Sequence, residues 1–316
     1  MAACSASETA HRAVQALSAT VNADSMGVTP ASVHSVRMNE PSDLQESSAA
    51  VMSSTQPGVF FTINDSGNDP ALFALDTTGK TRGRWRVTGA SNNDWEAASR
   101  GTCLRATAAT TAGAACLFLG DVGDNGAVRP DVKLYQVTEP TVTRDMTEGE
   151  LRAETLVVRY PDGPHDVEAM YVGPTGNTYL LTKRPLKNTA GTLRQALVFE
   201  VPVAAWASHD TVTATLLDSL PIVPGSSSLR RLTDASLSDD SRFLAIRTYG
   251  QIYIFATDTT SGRVINAIAP ATCNIENIEA LPGEGITWLG STSQLLLTRE
   301  GQNAPIQIVT CPLPQR

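Results

Sequence analysis

From about Leu44 onward the chain alternates short apolar runs with polar, glycine-rich breaks, and helical periodicity is scarce. Val59-Phe60-Phe61-Thr62-Ile63, Leu72-Phe73-Ala74-Leu75 and Trp85-Arg86-Val87, with a turn at Asp76-Thr77-Thr78-Gly79, read as successive strands of one antiparallel unit. The same texture continues in units spanning about 94 to 160, 166 to 222, 232 to 268 and 277 to 309. The last unit offers three clear strands, and Ser32-Val33-His34-Ser35-Val36-Arg37 can supply its missing outer one. Such closure removes an exposed sheet edge. The best helical candidate is a short stretch at about 8 to 17, where Ala10, Val14 and Leu17 share a face.

A short acidic element recurs through these units. It reads Asp94-Trp95-Glu96-Ala97, Asp166-Val167-Glu168-Ala169 and Asn277-Ile278-Glu279-Ala280, with a degenerate copy at Leu232-Thr233-Asp234-Ala235. Repetition at intervals of roughly 45 to 70 residues, each unit built of strands, predicts an all-β, five-bladed β-propeller. A sixth blade would need strands that the sequence does not offer, the long segment 141 to 160 being the one stretch that leaves the count of five open. The predicted organisation is a flexible lead or tether over 1–31 and a single propeller domain over 32–316.

The first strand of each propeller blade lines the channel, so residues recurring at its start form a ring: Ser48, Glu96, Glu168, Asp234 and Glu279. Converging carboxylates repel one another and raise their own pKa values unless a cation sits among them. A hard, oxygen-rich ring suits Ca²⁺. The alternative is that these acids are solvated or paired with Lys183, Arg247 and Arg299, which fall near the ends of second strands, with Arg184 beside the first of them. Two Asp/Asn/Gly clusters, Asn64-Asp65-Ser66-Gly67-Asn68-Asp69 and Gly120-Asp121-Val122-Gly123-Asp124-Asn125, read either as metal-ligating loops or as tight turns. Cations beside a carboxylate ring make a pocket for a small anionic substrate such as a phosphate ester. On that reading Lys183, Arg184, Arg247 and Arg299 bind substrate, and Asp65 or Asp121 orients and deprotonates water.

The order of polar residues around the channel is similar to that of the calcium-activated nucleotidases (soluble apyrases). Asn64-Asp65-Ser66-Gly67 followed by Leu72-Phe73-Ala74-Leu75 resembles their first-blade motif. The resemblance implies one central Ca²⁺ held by Ser48, Glu96, Glu168, Asp234 and Glu279, with Asp65 at the phosphate. Asp at the fourth ring position, and the lack of that family's Glu-x-x-Trp elements, depart from the pattern. Residues 45 to 300 also resemble uncharacterised secreted bacterial propellers through their Asn-Asp-Ser-Gly-Asn, Asp-Trp-Glu, Gly-Asp-x-Gly-Asp-Asn and Pro-His-Asp-x-Glu-Ala elements, a likeness that implies no activity. A non-catalytic binding propeller and a glycosidase with paired channel carboxylates are the competing readings.

Composition narrows the classes. A net charge of −8 and a pI near 5.1 speak against a nucleic-acid partner, which needs clustered Lys and Arg. No apolar run of about 18 residues exists to span a membrane. Ala2-Ala3-Cys4-Ser5 looks like the end of a bacterial lipobox, so a lipid anchor at Cys4 and an extracytoplasmic location are expected. Setting Cys4 aside leaves an even number of cysteines, as an oxidising compartment favours. Four cysteines allow three pairings. Cys103 with Cys116, across a hairpin, and Cys273 with Cys311, across the last unit, are the expected ones. His165 has no second His or Cys at zinc-ligand spacing and is read as structural, and the four scattered tryptophans are read as core.

Overall fold

The computed structural model describes residues 29–37, 43–105, 113–143, 146–183, 195–208, 210–222, 231–278, 283–290 and 292–315. Cys4, the helical candidate at 8–17, Arg184 and Glu279 lie outside the described residues. The fold is a five-bladed β-propeller. Blade one runs outward through Ser47–Met52, Val59–Asn64, Ala71–Asp76 and Thr81–Thr88. Blade two runs through Trp95–Thr102, Ala115–Asp121, Val132–Thr138 and Glu154–Arg159, and blade three through Val167–Val172, Thr178–Thr182, Ala196–Val201 and Thr215–Leu220. Blade four is Leu232–Leu237, Phe243–Thr248, Gln251–Ala256 and Ala271–Asn274. Blade five is Gly283–Trp288, Gln294–Arg299 and Pro305–Thr310, closed by Ser32–Arg37 antiparallel to the last of these, as the sequence predicts.

The segment 141 to 160 finds its place by splitting. Thr147–Arg152 crosses back and pairs in parallel with Thr81–Thr88 at the rim of blade one, and Glu154–Arg159 then forms the outer strand of blade two. Val212–Thr213 likewise leaves blade three to pair with that outer strand. These excursions cover edges that would otherwise offer unpaired backbone groups.

Side chains alternate between the two faces of a strand, and here each face meets a neighbouring blade. Phe60 and Phe73 therefore pack toward blade five with Leu296 and Ile306, whereas Phe61 and Leu72 pack toward blade two with Leu117 and Tyr135. Burial on both faces explains why these strands read as near-continuous apolar runs. Trp85, Trp95, Trp206 and Trp288 are all buried in the interblade cores. Both expected disulfides are present: Cys103–Cys116 within blade two, and Cys273–Cys311, which joins the outer strand of blade four to the end of blade five. Two disulfides indicate an oxidising, extracytoplasmic environment. Among the described residues no helix is long and apolar enough to cross a membrane.

Candidate metal site at the channel mouth

Every inner strand carries a β-bulge near its start: between Ser47 and Ala49, Trp95 and Ala97, Val167 and Ala169, Leu232 and Asp234, and Gly283 and Ile286. A bulge inserts an extra residue and re-aims its side chain. The bulged residues are Ser48, Glu96, Glu168, Thr233 and, in blade five, the Glu284-Gly285 pair. Register thus shifts the fourth ring position by one residue, because Thr233 and not Asp234 stands at the bulge of blade four. In blade five Glu284 stands at the bulge, and the expected member Glu279 lies outside the described residues.

Asp234 lies one residue further on and serves a different purpose. Its carboxylate accepts the backbone N–H of Ile286 at 2.8 Å, of Ala235 at 2.8 Å and of Ala50 at 3.3 Å, which ties blade four to blades five and one. It pairs in register with Arg247, whose guanidinium donates to the carbonyls of Gly285 at 2.7 Å and Thr298 at 2.6 Å. Both residues are fully buried. Neither is presented to a ligand, so Asp234 as metal ligand and Arg247 as substrate contact are both replaced by a structural pair.

The second strands show the same correction. Asn64, Asp121, Thr182, Thr248 and Arg299 pair with the first residue of their inner strands. One residue later come Asp65, Val122, Lys183, Tyr249 and Glu300. Asp121 and Arg299 are therefore one position out of step with Asp65 and Lys183, and Arg247 is two out of step with Lys183. Asp121 is fully buried, paired with Arg129 at 2.8 Å and accepting the N–H of Asp94 at 3.1 Å. It braces the Asp94 loop through Oδ1, while its Oδ2 is buried without a hydrogen-bond partner among the described residues. Arg299 is partly buried, with its Nε shielded from solvent and no hydrogen-bond partner on that atom.

What converges at the mouth is acidic. Asp65, Asp94 and Glu96 each bring one carboxylate oxygen within 4.8 Å of the other two. Asp65 is held by its N–H to the Glu46 carbonyl at 3.0 Å, and Ser48 Oγ donates to Glu96 Oε2 at 2.6 Å. Gly123 comes so close to these side chains that a Cβ there would lie 2.6 Å from the Asp94 carboxyl carbon and 2.7 Å from Glu96 Cγ. Across the mouth, Lys183 Nζ lies 2.9 Å from Glu168 Oε2 and faces the Tyr249 ring, while Glu168 Oε1 is buried without a partner.

The electrostatics follow from this crowding. Burial, the Glu168 charge and Asp65 raise Glu96 well above the ordinary carboxylate range. Burial and the adjacent Asp65 push Asp94 up to about 6. Burial pushes Glu284 up to about 7 although Lys183 opposes it, and burial with Asp65 and Glu46 raises Glu300. Burial works against the Lys183 charge, but Glu168 holds its ammonium above the usual lysine range. Ca²⁺ sits about 2.3–2.6 Å from carboxylate oxygens, so oxygens up to 4.8 Å apart can share one ion. The donor set therefore fits a hard divalent cation.

The sequence pattern does not single out Asp94, Tyr249, Glu284 and Glu300 as site residues, although Asp94 opens one copy of the recurring acidic element. Glu284 was hidden because its follower is Gly285, where a Cβ would meet Thr298 Oγ1 at 2.4 Å and the blade-one backbone at 2.6 Å. That close approach removes the alanine that marks the other copies.

No family model matches the chain, and no curated protein matches it by sequence, so the likeness to calcium-activated nucleotidases has no family model behind it. Solved structures similar to it include the PQQ-bound aldose sugar dehydrogenase of Streptomyces coelicolor, at 9% identity and a TM-score of 0.48, covering 88% of this chain and 98% of that one. Virginiamycin B lyase from Staphylococcus aureus matches at 9% identity and 0.40, covering 87% of this chain and 69% of that one. The β-propeller domain of Cps50 (Swd1) from Myceliophteria_thermophila matches at 13% and 0.38, covering 89% and 100%. Two of these are enzymes, a dehydrogenase and a lyase. None of the likenesses bears on what the mouth of this chain binds.

Proposed function

We propose that the protein is an extracytoplasmic propeller that binds Ca²⁺ at one mouth of its channel, through Asp65, Asp94 and Glu96, and uses that mouth as a Ca²⁺-dependent phosphohydrolase site. The observation that carries the metal reading is the convergence of three carboxylates from two blades within 4.8 Å, against a glycine that leaves no room for a side chain. Half-buried acids so placed are either protonated or neutralised by a cation, and hard oxygen donors select Ca²⁺ over softer metals. Ser48 orients Glu96, and Asp121 with Arg129 holds the loop that carries Asp94. When bound, the ion would attract and polarise an anionic oxygen. Among the described residues Lys183 is a cation placed to meet such an anion, and Glu168 fixes its ammonium at 2.9 Å.

A second reading, a non-catalytic binding propeller, is favoured by one observation. Arg247 is committed to backbone carbonyls, which leaves the mouth poorer in cations than a phosphoryl-transfer site requires. Calorimetric titration with Ca²⁺, followed by phosphate release from nucleotides and p-nitrophenyl phosphate in Ca²⁺ and in EGTA, tests both. Saturable Ca²⁺ binding with Ca²⁺-dependent release supports the hydrolase. Binding without release across the panel leaves the binding propeller, and absence of Ca²⁺ binding removes both. A lipid anchor at Cys4 belongs to the same proposal and is checked by mass spectrometry of the protein recovered from its native membrane fraction.

A further inference from the structure

The channel has a second mouth at the far ends of the inner strands, and it holds a cavity of about 600 Å³. That volume lies within the range of small-molecule sites. Ala50 and Ala235 line it, and the Asp234 carboxylate binds their backbone N–H groups, so the Asp234–Arg247 pair stands between this cavity and the acidic mouth. Val51, Ala98, Val172 and Leu237 give it apolar walls, and Thr102 and Ser236 add hydroxyls.

One charged pair spans this mouth. Arg100, from the inner strand of blade two, reaches the carbonyls of Met52 at 3.5 Å and Ser53 at 3.4 Å and also pairs with the Asp239 carboxylate. Asp239 sits in the turn between the first two strands of blade four, beside Asp240, which Ser238 Oγ holds at 2.7 Å. Blades two and four are not neighbours, so the contact crosses the cavity entrance. The Arg100 side chain is 22% exposed and that of Asp239 44%. Ion pairs this open to water hold loosely.

We propose that this mouth binds a small carboxylate with an aliphatic tail, the ligand carboxylate taking the place that Asp239 holds on Arg100 and the tail lying against Val51, Ala98, Val172 and Leu237. Guanidinium selects planar carboxylates, and Asp239 presents that group already. Among the described residues that line the cavity Arg100 is the sole cation, which suits a monoanion better than a phosphate. Arg100 keeps its contacts to Met52 and Ser53 when Asp239 leaves, so the site stays formed.

The test is calorimetric titration with hexanoate in EGTA, which keeps metal out of the opposite mouth. Asp239→Asn removes the competing carboxylate and should tighten hexanoate by at least about threefold. Acetate should bind at least about 100-fold more weakly than hexanoate, because the methylenes are lost, and hexanol and hexylamine should not bind. Arg100→Gln should abolish binding and Arg100→Lys should restore part of it, each checked for an unchanged melting temperature. Should Arg100→Gln fold poorly, Arg100→Lys and Asp239→Asn decide alone. Hexanoate binding that is absent from both wild type and Asp239→Asn, or is the same without the arginine, overturns the proposal.

Discussion

Asp94 and Arg247 show how differently two charged residues of one channel are used. Asp94 is half-buried beside Asp65 and Glu96, with its loop braced by Asp121, so its charge is available to a ligand. Asp94→Asn should weaken Ca²⁺ by at least about tenfold, or about 1.4 kcal/mol, with little loss of stability. Gly123→Ala should do the same by steric means, since its Cβ would push the Asp94 and Glu96 carboxylates apart. Calorimetry on both variants checks this, and wild-type affinity in either removes the assigned ligand set. Arg247 is the converse case. Its guanidinium is fully buried and donates to two carbonyls, so Arg247→Gln leaves buried acceptors without their charged donor. The expected cost is at least about 2 kcal/mol in urea denaturation, and a stability change near zero would return Arg247 to the pool of ligand contacts.

Blades, closure and disulfides were legible from the sequence because each rests on a local pattern: apolar runs of strand length, turn residues between them, and cysteines flanking a hairpin. The site was legible only in part, because a bulge shifts register by one residue and leaves no mark in composition. Asp234-Ala235 copies the text of Glu96-Ala97, yet the ladder aligns Thr233 with Glu96, and so a ring drawn by text places a structural carboxylate among ligands. In the other four blades the positions equivalent to Arg247 are Ile63, Gly120, Leu181 and Thr298, a comparison that needs the pairing before it can be made. The strand-level prediction concerns closure. Cys273–Cys311 joins two neighbouring blades across a separation of 38 residues, whereas Cys103–Cys116 spans 13 within one blade. Replacing both Cys273 and Cys311 by Ser should cost about 2–4 kcal/mol, and more than the same change at Cys103 and Cys116, because the longer loop loses more entropy when it is closed. Equal melting temperatures for the two double variants would place the stabilisation in local strain relief and not in chain closure.

At the scale of the whole molecule the acidic mouth works against folding unless protons or a cation neutralise it. Glu284 titrates at about 7 and Asp94 at about 6 in the folded protein, because burial penalises their charged forms, and both titrate near 4 in an unfolded chain. Between these values the native state keeps protons that the unfolded state has released. Metal-free stability must then fall as the pH rises from about 4 to about 7, and Glu284 alone accounts for about 3 kcal/mol of that fall. Ca²⁺ competes with protons at Asp94 and Glu96, so its affinity should rise through the same window. At about 100 times its dissociation constant it should restore about 2.7 kcal/mol at neutral pH. Urea midpoints at pH 5 and pH 8, in EGTA and in Ca²⁺, give all four corners of this cycle. The expected result is a metal-free midpoint that drops toward pH 8 and a Ca²⁺ increment larger at pH 8 than at pH 5. A metal-free midpoint that climbs with pH would mean the mouth carboxylates are already neutralised by groups of the chain itself, and the case for a cation at Asp65, Asp94 and Glu96 would fail with it.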